Sequence, residues 1–186
     1  MKKKKILIII VLIILLLIIG VLVYLKIKKD SEIAIETEIT PVEEITEEQE
    51  RQTMISLYYT STDNNTLIPE ARRIDVKELV ENPYKTLVEL LIEKPKNEKL
   101  LSSIPEGTKV NNASLKNGIV ELDLSKEFIE NQTGDIEKAK LSIYSIVNTL
   151  TELNEVNAVK ILIDGEENKK FSNIDLKLEG TYVRQD

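Results

Sequence analysis

The sequence predicts an α+β fold: a single two-layer domain, with two helices on one face of a mixed sheet, behind an N-terminal transmembrane helix. Three observations lead there. Residues 6–25 form an unbroken apolar run flanked by lysines. Beyond it, only two stretches repeat their apolar residues at helical spacing, whereas several alternate in the strand manner. Two of the alternating stretches are joined by Asn117-Gly118, a two-residue hairpin turn, so part of the sheet is antiparallel.

The first 29 residues carry seven Lys and no acid. Twenty apolar residues at about 1.5 Å rise span roughly 30 Å, the thickness of a bilayer's hydrocarbon core. A cleaved leader would have a shorter apolar core and a small-x-small site. Leu22-Val23-Tyr24-Leu25-Lys26 offers no such site, and there is no Cys for lipid attachment. The expected arrangement is a cytoplasmic basic tip at 1–5 and an uncleaved single-pass anchor at 6–25. The N-terminus lies inside and the remainder is exported from the bacterial cytoplasmic membrane.

Residues 26–53 read as an acidic linker. From Asp30 to Thr53 there are nine acids and one base, Arg51, with Pro41 and no aromatic residue. Such a stretch stays solvated and extended, and could reach up to about 80 Å.

Residues 54–186 are enough for one domain with its own core. Ile55-Ser56-Leu57-Tyr58-Tyr59 alternates as a strand and stops at the turn cluster Ser61-Thr62-Asp63-Asn64-Asn65. Residues 67–76 return as a second strand, which Pro69 places at an edge. Asn82-Pro83 starts a helix, with Tyr84, Leu87, Val88 and Leu91 on its core face and Pro95 beyond its end. Residues 108–116 and 119–124 flank the hairpin turn. Asp135 caps a second helix whose stripe runs Ile136, Ala139, Ile143, Ile146, Val147, Leu150 and Leu153. Val159-Lys160-Ile161-Leu162-Ile163 is a strand ending at Asp164-Gly165, and a weaker strand is expected at residues 174–178.

Composition narrows the chemistry. The chain of 186 residues contains no Cys, His or Trp. That excludes disulfides, thiolate nucleophiles, Ser-His-Asp catalysis and metal sites built on thiolate or imidazole. Outside the first 29 residues, 18 basic side chains face 32 acidic ones, a balance unsuited to nucleic acid. Glu121 and Asp123 share a strand face and could act as acid and base, but Val120, Leu122 and Leu124 opposite them describe an ordinary half-buried strand. Asp164-Gly165-Glu166-Glu167 lacks calcium-loop spacing, and no glycine-rich phosphate loop is present. Asn64, Asn112 and Asn131 begin glycosylation-type triplets of a kind that arises by chance in an Asn- and Thr-rich chain. No catalytic, cofactor-binding or metal-binding residue is assigned.

The domain resembles the germane (GerMN) family of bacterial spore-germination, sporulation and envelope proteins. The resemblance rests on Leu57-Tyr58-Tyr59, then Leu67-Ile68-Pro69-Glu70 leading to Arg72-Arg73-Ile74, and the helix before Lys94-Pro95. It continues through Ile104-Pro105-Glu106-Gly107-Thr108-Lys109-Val110, Asn117-Gly118-Ile119-Val120-Glu121-Leu122-Asp123-Leu124-Ser125 and Ile146-Val147-Asn148-Thr149-Leu150-Thr151-Glu152, and closes on residues 159–165. Two departures stand out. Lys94 precedes Pro95 where the family usually has Gly, and the chain has an apolar anchor and one domain copy rather than a lipoprotein Cys or two copies. The resemblance implies a non-enzymatic extracytoplasmic module, similar in fold to the ring-building domains of sporulation channels. It supplies no catalytic residues, and leaves open a role in sporulation, germination or general envelope biology.

The expected function is therefore a membrane-anchored module that binds a protein partner or cell-wall component, with self-association open. The alternatives are a cell-wall glycan hydrolase using carboxylates, and a small-ligand-binding domain with a groove between helices and loops. The interaction edge is expected at Arg72 and Arg73, neighbours in the second strand whose side chains must point to opposite faces. An exposed edge with positive charge could meet an acidic partner, or the arginines could guard the edge against pairing.

Overall fold

A computed structural model describes residues 16–25 and 51–185. The basic tip, the first part of the apolar run and most of the acidic linker lie outside the described residues. The chain divides into two compact units, 1–49 and 50–186. In the first, residues 16–25 form a helix (α1) with every side chain exposed. Among the described residues, no helix is long and apolar enough to cross a membrane.

The second unit runs β1 (Gln52–Ser61), β2 (Leu67–Asp75), α2 (Lys77–Val80), α3 (Pro83–Ile92) and β3 (Leu100–Leu101). It continues with β4 (Val110–Lys116), β5 (Ile119–Leu124), α4 (Glu127–Glu130), α5 (Ile136–Leu150) and β6 (Ala158–Ile163). The α+β class holds, but the expected single sheet is two three-stranded sheets, ordered β2-β1-β3 and β4-β5-β6. The first is antiparallel throughout; the second is mixed, with β5 antiparallel to β4 and parallel to β6.

The sheets stay separate because a helix closes the side of β1 away from β2. Only Thr60 and Ser61 pair with β3 there. Two residues earlier, the Tyr58 N–H donates to Thr149 Oγ1 at 3.0 Å, and its carbonyl accepts from Ser145 Oγ at 2.6 Å. Hydroxyls of α5 thus take the place of a neighbouring strand, as buried backbone groups require a partner. This also explains why Ser145 and Thr149 lie buried on a helix whose apolar stripe includes Ile143, Ile146, Val147 and Leu150, whereas the buried Ser142 hydroxyl meets Ser103 O beyond β3 at 2.5 Å.

Local signals read from the sequence account for the other elements. Asn82 Oδ1 accepts from Lys85 N at 3.0 Å as the cap of α3, while its amide donates to Ala113 O of β4 at 2.8 Å. Asp135 caps α5 through Lys138 N at 3.0 Å. Asn117 and Gly118 have φ of 53° and 78°, the two positive values of a type I′ turn. A Cβ at Gly118 would also meet the Asn157 side-chain amide, which would have to turn aside, so the positive φ is the main demand for glycine there.

The expected last strand does not form. Phe171, Ile174 and Leu178 are spaced too irregularly for a strand face, yet all three enter the core. The segment bends back on itself through a Lys170–Lys177 bridge and ends against β6, where Tyr182 pairs with Val159. Two single-turn helices, α2 and α4, add to the two that were expected. One core of buried residues includes Leu57 and Tyr59 of the first sheet, Val120 and Leu122 of the second, and the inner faces of α3 and α5.

Candidate functional site

The structure separates the two arginines. Ile68, Glu70, Arg72 and Ile74 share one face of β2, opposite Tyr59, Leu57, Ile55 and Thr53. Arg72 is 4% exposed, and Arg73 is exposed. Arg72 is therefore no part of an accessible surface. Its guanidinium donates to Glu70 at 2.9 Å, Tyr59 Oη at 3.2 Å and the carbonyl of Leu90 at 3.3 Å. It lies 5.9 Å from the Tyr59 ring centroid. The other Glu70 oxygen accepts the N–H groups of Lys96 and Asn97, both at 2.9 Å. This knot ties β2 to the C-terminal end of α3 and the turn beyond it. Burial alone would push the Glu70 carboxyl up, but the hydrogen bonds from Arg72, Asn97 and Lys96 reverse that and hold it below its ordinary value. Burial would likewise lower Arg72, and Glu70 with Tyr59 more than offsets it. Burial drives the Tyr59 phenol up to about 12, against a counter-pull from Arg72.

Arg73 lies on an open edge. Tyr58 turns its backbone groups toward α5, so its partner Pro69 must turn away from β1, and by alternation so must Ala71 and Arg73. Pro69 has no N–H to leave unpaired there. The accessible edge is thus a short window at Ala71 and Arg73, with the Arg73 charge on it.

The carboxylates on β5 are occupied. Glu121 pairs with Lys116 at 2.5 Å, and that hydrogen bond holds it below its ordinary value. Asp123 accepts the Gly165 N–H at 2.8 Å, tying the turn after β6 to β5. Asp164 accepts from Asn111 at 3.2 Å. Among the described residues, no group of three or more acids is placed to hold a metal ion.

A groove whose lining residues have no marker in the sequence runs beside α5. Its larger part, about 840 Å³, lies between the loop 101–107, the segment 131–133 and the first turns of α5, with Thr60 and Asn65 on the strand side. A second cavity of about 620 Å³ shares Asn65, Lys138 and Leu141 with it and extends to Tyr144 and Arg184. Arg184 closes that end: it pairs with Glu152 at 2.7 Å, bonds the Tyr58 hydroxyl and sits 5.1 Å from the Tyr58 ring centroid. Among the described residues, two buried polar side-chain atoms lack a hydrogen-bond partner: Arg72 Nε and Thr60 Oγ1, and Thr60 lies on the groove wall. The Ser142-Ser145-Thr149 series, hydroxyls at i, i+3 and i+7 inside an otherwise apolar stripe, lies behind the groove and marks where α5 bonds the neighbouring backbone. Thr60, Asn65 and Gln132 carry no sequence signature of their own.

Comparisons with known proteins agree with this architecture. The family model Germane, described as "Sporulation and spore germination", matches residues 56–169. Among solved structures, the tandem GerMN domains of the sporulation protein GerM from Bacillus subtilis superpose with a TM-score of 0.56 at 25% identity. That match covers 72% of this chain and 46% of the tandem structure, so the chain spans less than half of its length. The first GerMN domain of the same protein gives 0.59 at 22% identity, covering 72% of this chain and 99% of that domain. A search of curated proteins found no match. With the family model spanning more than half of the sequence, and the two-sheet core placing every matched segment in one domain, the chain belongs to the germane (GerMN) family.

Proposed function

We propose that this chain is a membrane-anchored, extracytoplasmic interaction module of the bacterial envelope, working in a sporulation or germination assembly without catalysis. The family's description supports the sporulation setting. The lysine-flanked apolar run at residues 6–25 supports the anchor, with the N-terminus inside. The engagement of Glu121 by Lys116 and of Asp123 by Gly165 supports a non-enzymatic role over carboxylate hydrolysis.

The observation that carries the interaction reading is the open window of β2 at Ala71 and Arg73. Strand addition there needs few main-chain bonds, and the exposed guanidinium selects a protein partner with an acidic strand or edge. Arg73→Glu in the full chain tests this. In crosslinking pull-downs from envelope membranes, the parent should capture a partner more strongly at low salt than at high salt, and the variant should lose that capture while keeping its melting temperature. Equal capture by parent and variant at both salt concentrations would refute the edge as the binding surface. Protease added to intact protoplasts tests the topology: the domain should be digested, leaving a membrane fragment near residues 1–30.

A further inference from the structure

The geometry points to the groove beside α5 as a binding site for a short, neutral oligosaccharide. The first reason is what the groove withholds. A peptide bound as an added strand needs a row of free main-chain groups. Several of the wall carbonyls are already taken, which breaks up any such row: Ser103 O by Ser142 Oγ at 2.5 Å, Pro105 O by Thr108 Oγ1 at 2.7 Å, and Glu106 O by Asn131 Nδ2 at 2.8 Å. Thr133 O and Leu141 O accept from Gln132 and Ser103, both at 3.3 Å.

The second reason is what the groove presents. Side-chain hydroxyls and amides remain on its walls, among them Thr60, Asn65, Ser102 and Thr133. Thr60 is 8% exposed, and its Oγ1 has no partner within the described residues. A buried hydroxyl left unpaired costs stability, and the Thr60 hydroxyl is covered at the groove wall, so a ligand that supplies the missing bond must turn it toward the groove as it seats. Vicinal sugar hydroxyls, each both donor and acceptor, match hydroxyl and amide side chains.

Charge and size agree. Glu106 and Lys138 are the charged residues on the larger part, and on the continuation the cations Lys140 and Arg184 are already paired with Glu137 at 2.8 Å and Glu152 at 2.7 Å. A polyanion would need more cations than that. The volume of about 840 Å³ falls in the range of roughly 300–1,000 Å³ typical of small-ligand clefts. Leu101, 57% exposed, and Leu141 supply apolar surface for a pyranose CH face, and the continuation reaches the half-buried Tyr144 ring. No residue of the β2 edge window lines the groove, so the site is independent of the interaction surface proposed above.

The test uses the full chain in a zwitterionic detergent free of sugar headgroups, with saturation-transfer NMR and tyrosine fluorescence as readouts. The probes are chitotetraose, maltotetraose and a neutral tetrapeptide. Saturable binding of a tetrasaccharide below about 10 mM is expected. A response to chitotetraose alone would assign an N-acetylated chain; a response to both would assign pyranose chains generally. Thr60→Val removes the unpaired hydroxyl and should leave the melting temperature unchanged or higher, while weakening sugar binding roughly three- to tenfold, the effect of one ordinary hydrogen bond. Asn65→Gly, tolerated at φ 54°, should weaken it similarly. Arg73→Glu should leave sugar binding unchanged, so failure of the edge and failure of the groove are separable. No saturable sugar response, binding of the tetrapeptide alone, or sugar binding undisturbed by both groove variants would overturn the assignment.

Discussion

Replacing Thr149 by Val tests whether hydroxyls of α5 substitute for a missing strand. The side chain is fully buried, and its Oγ1 accepts the Tyr58 N–H at 3.0 Å. Val keeps the branched shape and removes the acceptor. The N–H cannot turn to β2, because Pro69 stands opposite in a pair whose polar groups face outward. Nor can it reach β3, which pairs only with Thr60 and Ser61. The variant therefore buries an unsatisfied donor, at a cost of about 1–3 kcal/mol. For a domain of this size that lowers the melting temperature by roughly 3–10 °C. Ser145→Ala should cost about 1–2 kcal/mol by orphaning the Tyr58 carbonyl, which Ser145 Oγ meets at 2.6 Å. Because both hydroxyls serve one residue, the double variant should be non-additive. Thr151→Val is the control, since its hydroxyl bonds Val147 O of its own helix at 2.7 Å and should matter by less than about 0.5 kcal/mol. Urea and thermal unfolding of the full chain, followed by circular dichroism, give all four values. A loss below about 0.5 kcal/mol for Thr149→Val would refute the reasoning, since the Tyr58 N–H would then have another partner.

Three further outcomes follow from the core and the buried ion pair. Arg72→Ala should cost about 3–5 kcal/mol in urea unfolding because it strands Glu70, whereas Arg73→Glu should stay within about 0.5 kcal/mol. Glu70 has a depressed pKa in the folded state, so its contribution is present above its unfolded value, about 4.5, and is lost as pH falls through the lower folded value; Glu70→Gln should flatten that acid limb of stability against pH. Leu150→Ala should cost roughly 2–5 kcal/mol, since Leu150 is fully buried in the shared core.

The sequence alone determined what depends on neighbouring residues. The caps at Asn82 and Asp135, the Asn117-Gly118 turn and the buried series Val120, Leu122, Leu124 need only local backbone geometry and a period of 2 or 3.6, and each stands where it was expected. The sequence placed Arg72 and Arg73 on opposite faces but did not decide between them; the packing did, by burying Arg72. The tertiary structure decided the division into two sheets, the orphan Thr60 hydroxyl and the groove beside α5. Each depends on groups far apart in the chain, such as Tyr58 with Thr149 and Ser103 with Ser142. A hydroxyl in a sequence does not say whether it caps its own helix, meets a distant strand or goes unpaired. That choice is made only when the chain closes its loops and every buried backbone group must find a partner.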